Sequence, residues 1–321
     1  MSTTTIEAPL VVVCGATGAQ GSSVAKHLLD NGGYRVRVLT RNVDSEKAQG
    51  KWFMSFGLYI ANLTYLAFGK RGAEVVKCDL GDEEQVAAAL SGAYAVFGVT
   101  NFWEHGEETE TRQGKNLADS AKACGVKHFI WSSIPRVKNV VPRHWESKAI
   151  VNDYLHTIGV PTTTIFTSFY YENVWMFFPP KKLSDGTLLL DWFFPSEGRI
   201  PSFAVEDLGG WFMVALKNPE MWIGKSMTVC SELLTPRDYA EKLGNGIGAK
   251  IALKEQSYAD FEAARPHVPE DLWLNIKGFW EQPNMWGDAI DESRRLYPAS
   301  QTLETLSIRH KDKILASVVP A

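Results

Sequence analysis

The chain has 321 residues, of which 45% are hydrophobic, and this length and composition are typical of a globular protein with a substantial buried core. Its formal net charge of −4 provides no basic surface for a phosphate backbone, so we expect no direct nucleic-acid binding. Its four cysteines form no C-x-x-C pair and no histidines stand at zinc-ligand spacing, so we expect neither a metal site nor a disulfide scaffold.

The first chemical signal is a glycine-rich turn between a predicted buried strand, which begins at Leu10, and a predicted helix. Gly15, Gly18 and Gly21 allow a tight turn, close approach of a ligand to the backbone, and close packing of the helix on the strand. The free N–H groups at the start of such a helix favour a pyrophosphate. The spacing is Gly-x-x-Gly-x-x-Gly, so the strand, turn and helix context carries the prediction more than the glycines alone.

The tip of the second predicted strand indicates which dinucleotide binds. Residues 35–40 alternate between polar and apolar side chains and lead directly into Arg41 and Asn42. An acidic side chain at this position binds the ribose 2′-OH of NAD, whereas a cation accommodates the 2′-phosphate of NADP. Because a guanidinium and no carboxylate follows the strand, the sequence predicts NADP(H).

The following segments repeat strand and helix. We predict strands at 75–79, 93–100, 128–133 and 162–167, and helices at 83–90, 109–124 and 144–158. This alternation predicts an α/β fold, a Rossmann-type doubly wound parallel sheet. Ligands bind at the carboxyl ends of such strands, where this sequence has Asp79, Thr100, Asn101, Ser132, Ser133 and Tyr170.

The regular alternation stops after Asn173. We therefore predict a dinucleotide-binding domain at 1–173 and a smaller C-terminal α+β domain at 174–321, which covers the cofactor cleft and returns some segments to the sheet. Residues 205–216 predict a helix, and Thr235 followed by Pro236 predicts the start of another.

An apolar and aromatic segment at 50–66 interrupts the place where a short polar helix should link the second and third strands. It is shorter than the ~20 residues that a membrane-spanning helix requires, so we expect no membrane association. Gly50-Lys51-Trp52 can be encoded as GGT-AAG-TGG, which contains the splice-donor string GTAAGT, and Leu66-Ala67 can contain an acceptor TAG. We interpret the segment as an aberrant insert or a translated intron; genomic DNA without GT and AG at those codons would rule out the intron.

Six ordered motifs carry a resemblance to a known family. They are GATGAQG at 15–21, VLTRN at 38–42, GAEVVKCD at 72–79, VTNFW at 99–103, HWESK at 144–148 and YYEN at 170–173. With the insert excepted, the chain resembles the NmrA-like family of atypical short-chain dehydrogenase/reductase proteins from about Leu10 to the C-terminal helix. Members of this family bind NADP(H).

The resemblance implies a set of cofactor-binding residues. The pyrophosphate is expected at Gly15, Ala16, Thr17, Gly18, Ala19, Gln20 and Gly21, and the 2′-phosphate at Arg41, Asn42 and Ser45. The adenine side is expected at Asp79 and Leu80, the ribose region at Thr100, Asn101 and Phe102, and the nicotinamide near Lys148, Tyr170, Tyr171, Glu172 and Asn173. Arg112 stands where a redox-sensing relative carries a lysine that faces the cofactor, and Ser45 replaces a second cation for the 2′-phosphate.

Catalysis is the open question, because dehydrogenases of this superfamily use Tyr-x-x-x-Lys and this chain contains none. His144 and Lys148 stand at the matching place, one helical turn apart and therefore on one face. Lys148, alone or with His144, is the candidate general acid.

Three functions follow from these observations, and the third is a membrane or scaffold role built on the segment at 50–66. In the first, NADP(H) occupancy shifts a conformation or a dimer that a regulatory protein partner recognises, and Lys148 only anchors the ribose. In the second, the chain is an NADPH-dependent oxidoreductase of the isoflavone-reductase-like type acting on a small carbonyl or aromatic substrate. We expect a monomer or homodimer in the cytoplasm, the nucleus or both, because the first residues contain neither a basic stretch nor a sustained apolar run.

Overall fold

The structure, a computed structural model, describes residues 7–41, 65–282 and 284–321 and is built around a parallel β-sheet. The strands are β1 (Leu10–Val13), β2 (Arg35–Thr40), β3 (Glu74–Lys77), β4 (Ala93–Gly98), β5 (His128–Ser133), β6 (Thr162–Phe166), β7 (Phe169–Tyr170), β8 (Lys181–Lys182), β9 (Leu188–Leu190), β10 (Ile200–Phe203), β11 (Ser226–Thr228), β12 (Glu232–Leu234), β13 (Ile251–Leu253) and β14 (Val319–Pro320).

Helices connect these strands. They are α1 (Ala19–Asn31), α2 (Tyr65–Lys70), α3 (Glu83–Leu90), α4 (Phe102–Ala123), α5 (Arg143–Thr157), α6 (Asn173–Met176), α7 (Leu208–Lys217), α8 (Pro219–Trp222), α9 (Pro236–Ile247), α10 (Tyr258–Ala264), α11 (Glu270–Glu281), α12 (Asn284–Gly287), α13 (Ile290–Leu296), α14 (Leu303–Arg309) and α15 (Lys311–Ser317). Short 3₁₀ turns lie at Val205–Asp207 and Arg265–His267.

The central sheet has the strand order β11-β6-β5-β4-β1-β2-β3, and every pairing in it is parallel. The order from β3 to β6 is that of a Rossmann fold, so the predicted fold class is confirmed. β1 and β5 are buried along their whole length because helices cover both faces: α1 and α7 lie on one, and α3, α4 and α5 on the other.

Two smaller sheets and an aromatic core form the C-terminal part. β12, β10 and β7 form one sheet, and β13, β9, β8 and β14 form the other. The core between them and the helices is rich in tryptophan and phenylalanine, among them Trp145, Trp273 and Phe279. The domain boundary at residue 173 stays a prediction. β7 pairs with β10, and β11 joins the central sheet.

Helix α4 differs from its predicted range of 109–124, because it begins at Phe102. Gly106 has φ +75° and separates the first turn, residues 102–105, from the body of the helix. This backbone geometry favours glycine.

The expectations for the segment at 50–66 lie outside the described residues, apart from the start of α2 at Tyr65. Within the parts of the chain that the structure describes, no helix combines the length and apolar character needed to cross a membrane.

Candidate functional site

The glycine turn after β1 packs as the spacing predicts. Gly15 is exposed at the turn with φ +62°, and a Cβ there would lie 2.9 Å from Val99 Cγ1. At Gly21 a Cβ would overlap the carbonyl group of Gly15 and lie 2.5 Å from the carbonyl oxygen of Cys14. Only glycine therefore lets α1 start so close to the strand, which leaves the first turn of α1 facing the carboxyl edge of the sheet.

The start of α1 fits a pyrophosphate. Its N-cap, Gly18, provides no side-chain hydrogen bond to the free N–H groups of the first turn, and no acidic residue lies in that turn. Gln20 donates from Nε2 to the hydroxyl of Tyr170 at 2.6 Å, which joins this turn to β7. The buried Oε1 of Gln20 has no hydrogen-bond partner among the described residues. This oxygen can therefore accept a hydrogen bond from a ligand at this edge of the sheet.

Arg41 follows β2, as predicted, and contacts the first turn of α4. Its Nη2 lies 2.6 Å from Glu104 Oε1, and its Nη1 lies 3.1 Å from His105 Nε2. Burial alone raises the pKa of Glu104, but the hydrogen bond and charge of Arg41 outweigh it and hold the pKa below its usual value. The sequence alone predicts no role for Glu104 or His105.

A buried polar cluster surrounds Lys148 on α5. Lys148 Nζ forms an ion pair with Glu110 and also donates to the carbonyl oxygen of Thr100 at 3.1 Å. Thr100 Oγ1 donates to Glu110 Oε1 at 2.9 Å, and Ser147 Oγ donates to Glu110 Oε2. Glu110 is fully buried, so its charge is compensated within this cluster.

Glu110 is an acidic residue on α4, and the structure buries it against Ser147 and Lys148 of α5. The ammonium group of Lys148 is therefore both neutralised by a carboxylate and directed at the end of β4. This arrangement suits a group that holds a ligand more than one that releases a proton.

His144 is fixed by two side chains of α11. Its Nδ1 contacts the Asp271 carboxylate, and its Nε2 lies 3.1 Å from Asn275 Oδ1. Trp145 Nε1 donates to the same Oδ1 at 2.8 Å, which identifies that atom as the amide oxygen. The two contacts fix the orientation of the His144 ring.

The Asp271 carboxylate also ties α11 to the start of α5. It accepts hydrogen bonds from the backbone N–H groups of Arg143 and His144. Burial raises the pKa of Asp271, but the His144 hydrogen bond more than offsets this and the pKa lies below its ordinary value. His144 is thus held in a network that joins two parts of the fold.

The remaining candidates fall into three groups. Asn42 and Ser45 lie outside the described residues. Asp79, Asn101 and Arg112 are exposed, Leu80 and Phe102 are partly buried, and all follow β3 or β4 or lie on α4. Tyr171 donates to Glu232 at 2.7 Å, and Glu172 accepts from the N–H groups of Val205 and Glu206, so both side chains bind other parts of the protein, whereas Asn173 begins α6.

Two serine hydroxyl groups lie at the end of β5. Ser133 Oγ lies 3.5 Å from the carbonyl oxygen of Ile134, and buried Ser132 Oγ has no partner within the described ranges. These residues end β5 on the same sheet edge as the glycine turn.

Comparison with known proteins finds relatives over most of the chain. A family model described as "NmrA-like family" matches residues 7–299. An NmrA-like family domain-containing protein of Dictyostelium discoideum is 28% identical over 279 residues, which cover 83% of this chain and 85% of that protein. The NmrA-like family domain-containing oxidoreductase cpsB of Aspergillus campestris is 29% identical over 305 residues, which cover 87% and 85% of the two chains.

Solved structures give the same fold. NmrA, a negative transcriptional regulator, in complex with NAD superposes with a TM-score of 0.74 at 19% identity, covering 94% of this chain and 95% of that one. The same regulator in complex with NADP superposes with a TM-score of 0.71 at 18% identity over the same shares of both chains. At these identities the likeness establishes the shared architecture.

Proposed function

The chain belongs to the NmrA-like family, and from that premise we propose that it binds NADP(H) and acts as a redox-sensing regulator through a protein partner. The glycine turn and the start of α1 favour pyrophosphate binding, because they combine a close backbone approach with uncapped N–H groups. Arg41 favours binding of the 2′-phosphate, because its guanidinium follows β2 and a guanidinium matches phosphate geometry.

Lys148 takes the role of ribose anchor in this proposal. Its ammonium group is aligned by Glu110 and by the Thr100 carbonyl at the end of β4, the edge at which the nicotinamide half of a dinucleotide lies in this fold. The nicotinamide supplies or accepts a hydride when it is bound. Phe102, Asn101 and Tyr170 stand at the same edge and contribute contact surface.

The observation that carries the regulatory role is the state of the two candidate proton donors. Lys148 is held by Glu110 and His144 by Asp271 and Asn275, and all of these groups are buried. A general acid must exchange its proton with a substrate during each turnover, and buried ion pairs oppose that exchange. In this proposal, NADP(H) binding changes the conformation or the self-association of the chain, and the protein partner recognises that change.

A second function is favoured by the relatives that are named oxidoreductases, one of which aligns with 87% of this chain. In that case Lys148 assists hydride transfer to a small carbonyl or aromatic substrate at the nicotinamide end. The exposed ring of Trp103, which lies 5.0 Å from the imidazole of His144, offers an apolar contact for such a substrate.

The deciding experiment measures NADPH binding and NADPH oxidation side by side. Binding is titrated calorimetrically, and oxidation is followed at 340 nm with an aldehyde, a quinone, an enone and an imine. Tight binding without turnover on any acceptor supports the regulator. Steady turnover that Lys148→Ala abolishes while the NADPH Kd is retained overturns the regulator and establishes the enzyme.

A further inference from the structure

The contact between Arg41 and Glu104 has a consequence for cofactor choice that rests on the proposed NADP(H) site. Arg41 is the cation that the 2′-phosphate requires, yet its Nη2 already lies 2.6 Å from a carboxylate oxygen of Glu104. The carboxylate is oriented by a second hydrogen bond, because Asn101 Nδ2 donates to Glu104 Oε2 at 3.3 Å. A phosphate on the same guanidinium brings two like charges together.

The carboxylate is also the group that recognises an unphosphorylated ribose. In dinucleotide sites of this fold, an acidic side chain that accepts a hydrogen bond from the 2′-OH favours NAD over NADP. The tip of β2, where such a residue normally stands, has Arg41 and Asn42 and no acid. The structure brings one to that place from a different element, the first turn of α4.

Glu104 stands on a segment whose backbone is separated from the rest of its helix. Residues 102–105 precede Gly106, where φ of +75° and ψ of 177° interrupt α4. The side chains of Arg41 and Glu104 are 49% and 41% exposed, so solvent reaches the pair and the carboxylate can leave Arg41 without emptying a core site. Arg41 is therefore able to exchange the Glu104 carboxylate for the 2′-phosphate of a ligand.

His105 completes the surroundings of Arg41. A guanidinium only donates hydrogen bonds, so His105 Nε2 accepts from Arg41 Nη1 at 3.1 Å. The same Nε2 lies 3.8 Å from Glu104 Oε2. Glu104 is the acidic residue of this turn that contacts Arg41, and it is therefore the residue that opposes a phosphate electrostatically.

We infer that Glu104 is a cofactor-discriminating residue that competes with the 2′-phosphate for Arg41 and accepts the ribose 2′-OH when the phosphate is absent. The Glu104 carboxylate therefore lowers the preference of the chain for NADP(H) over NAD(H). Loss of the Glu104 charge raises that preference.

The test uses the full chain and measures Kd values for 2′,5′-ADP and 5′-ADP, and for NADPH and NADH, by calorimetry at low salt. Glu104→Gln is expected to bind 2′,5′-ADP and NADPH about tenfold more tightly than the wild type, with the Kd values of 5′-ADP and NADH unchanged or raised. Glu108→Gln removes the same charge from an exposed position beyond Gly106 and is the matched control, expected within about twofold for all four nucleotides.

A double-mutant cycle with Arg41→Ala isolates the competition. In the Arg41→Ala background, Glu104→Gln is expected to lose its effect on the preference for the 2′-phosphate. Weaker NADPH binding by Glu104→Gln would mean that Glu104 orients Arg41 for the phosphate and would overturn the inference, as would an equal change for both dinucleotides. If the wild type binds NADPH and Glu104→Gln leaves the NADPH to NADH ratio unchanged, the inference alone fails. No binding of any nucleotide to any variant overturns the proposed function as well.

Discussion

The ion pair between Lys148 and Glu110 gives the sharpest stability prediction. Lys148→Met retains a long apolar side chain but leaves the Glu110 carboxylate without its cation, although Thr100 and Ser147 still donate to it. The Glu110 side chain is 0% exposed and that of Lys148 is 11% exposed, so water does little to screen the loss. Removing one partner of such a buried pair costs about 3–5 kcal/mol in the free energy of unfolding.

The double variant tests the cause of that loss. Glu110→Gln with Lys148→Met removes both charges, and the amide oxygen still accepts a hydrogen bond, so we expect the double variant to recover about 2 kcal/mol relative to the sum of the singles. Urea unfolding followed by far-UV circular dichroism provides these free energies. Lys122→Met and Glu108→Gln change the same residue types at exposed positions of α4 and should stay within about 0.5 kcal/mol of the wild type.

Two results would refute this reasoning. A loss below about 1 kcal/mol for Lys148→Met would mean that the carboxylate is not isolated from water. Strict additivity of the two single substitutions would mean that the two charges do not stabilise one another.

Two further predictions concern the glycine turn and a buried acid. Gly21→Ala places a Cβ against the Gly15 carbonyl group, so we expect it to abolish dinucleotide binding and to lower the free energy of unfolding by about 2 kcal/mol. Gly69→Ala is the tolerated control, because its Cβ would lie 3.7 Å from Val75 Cγ2. Normal calorimetric binding by Gly21→Ala would contradict the described packing. Burial raises the pKa of Glu172 from 4.5 to about 8, so its contribution to stability is present below about pH 4.5 and is lost as the pH rises through about 8. The unfolding free energy of the wild type should therefore fall relative to Glu172→Gln between about pH 5 and pH 9, and a constant difference in urea titrations would be the contrary result.

Elements with local signals could be predicted from the sequence to the residue. β2, β5 and α3 have the bounds that their patterns indicate, and α9 begins at Pro236, directly after its N-cap Thr235. Hydrophobic periodicity and helix caps involve residues within a few positions of one another, so they are visible without knowledge of the fold.

The polar clusters of the site could not be predicted in the same way. Glu110 meets Lys148 across 38 positions, and His144 meets Asp271 across 127, so neither pair leaves a local pattern. One signal for Glu110 was present: Gln113, Gly114 and Leu117 follow it at helical spacing, and the structure buries all four on one face of α4.

We propose that Arg41 recognises the 2′-phosphate of a dinucleotide bound across the first glycine turn. Calorimetric Kd values for NADPH and NADH with the wild type and Arg41→Ala test it most directly. We expect Arg41→Ala to weaken NADPH binding by about tenfold or more and to change NADH binding by less than about threefold. Equal losses for the two dinucleotides, or an NADPH affinity that does not depend on Arg41, would contradict the claim.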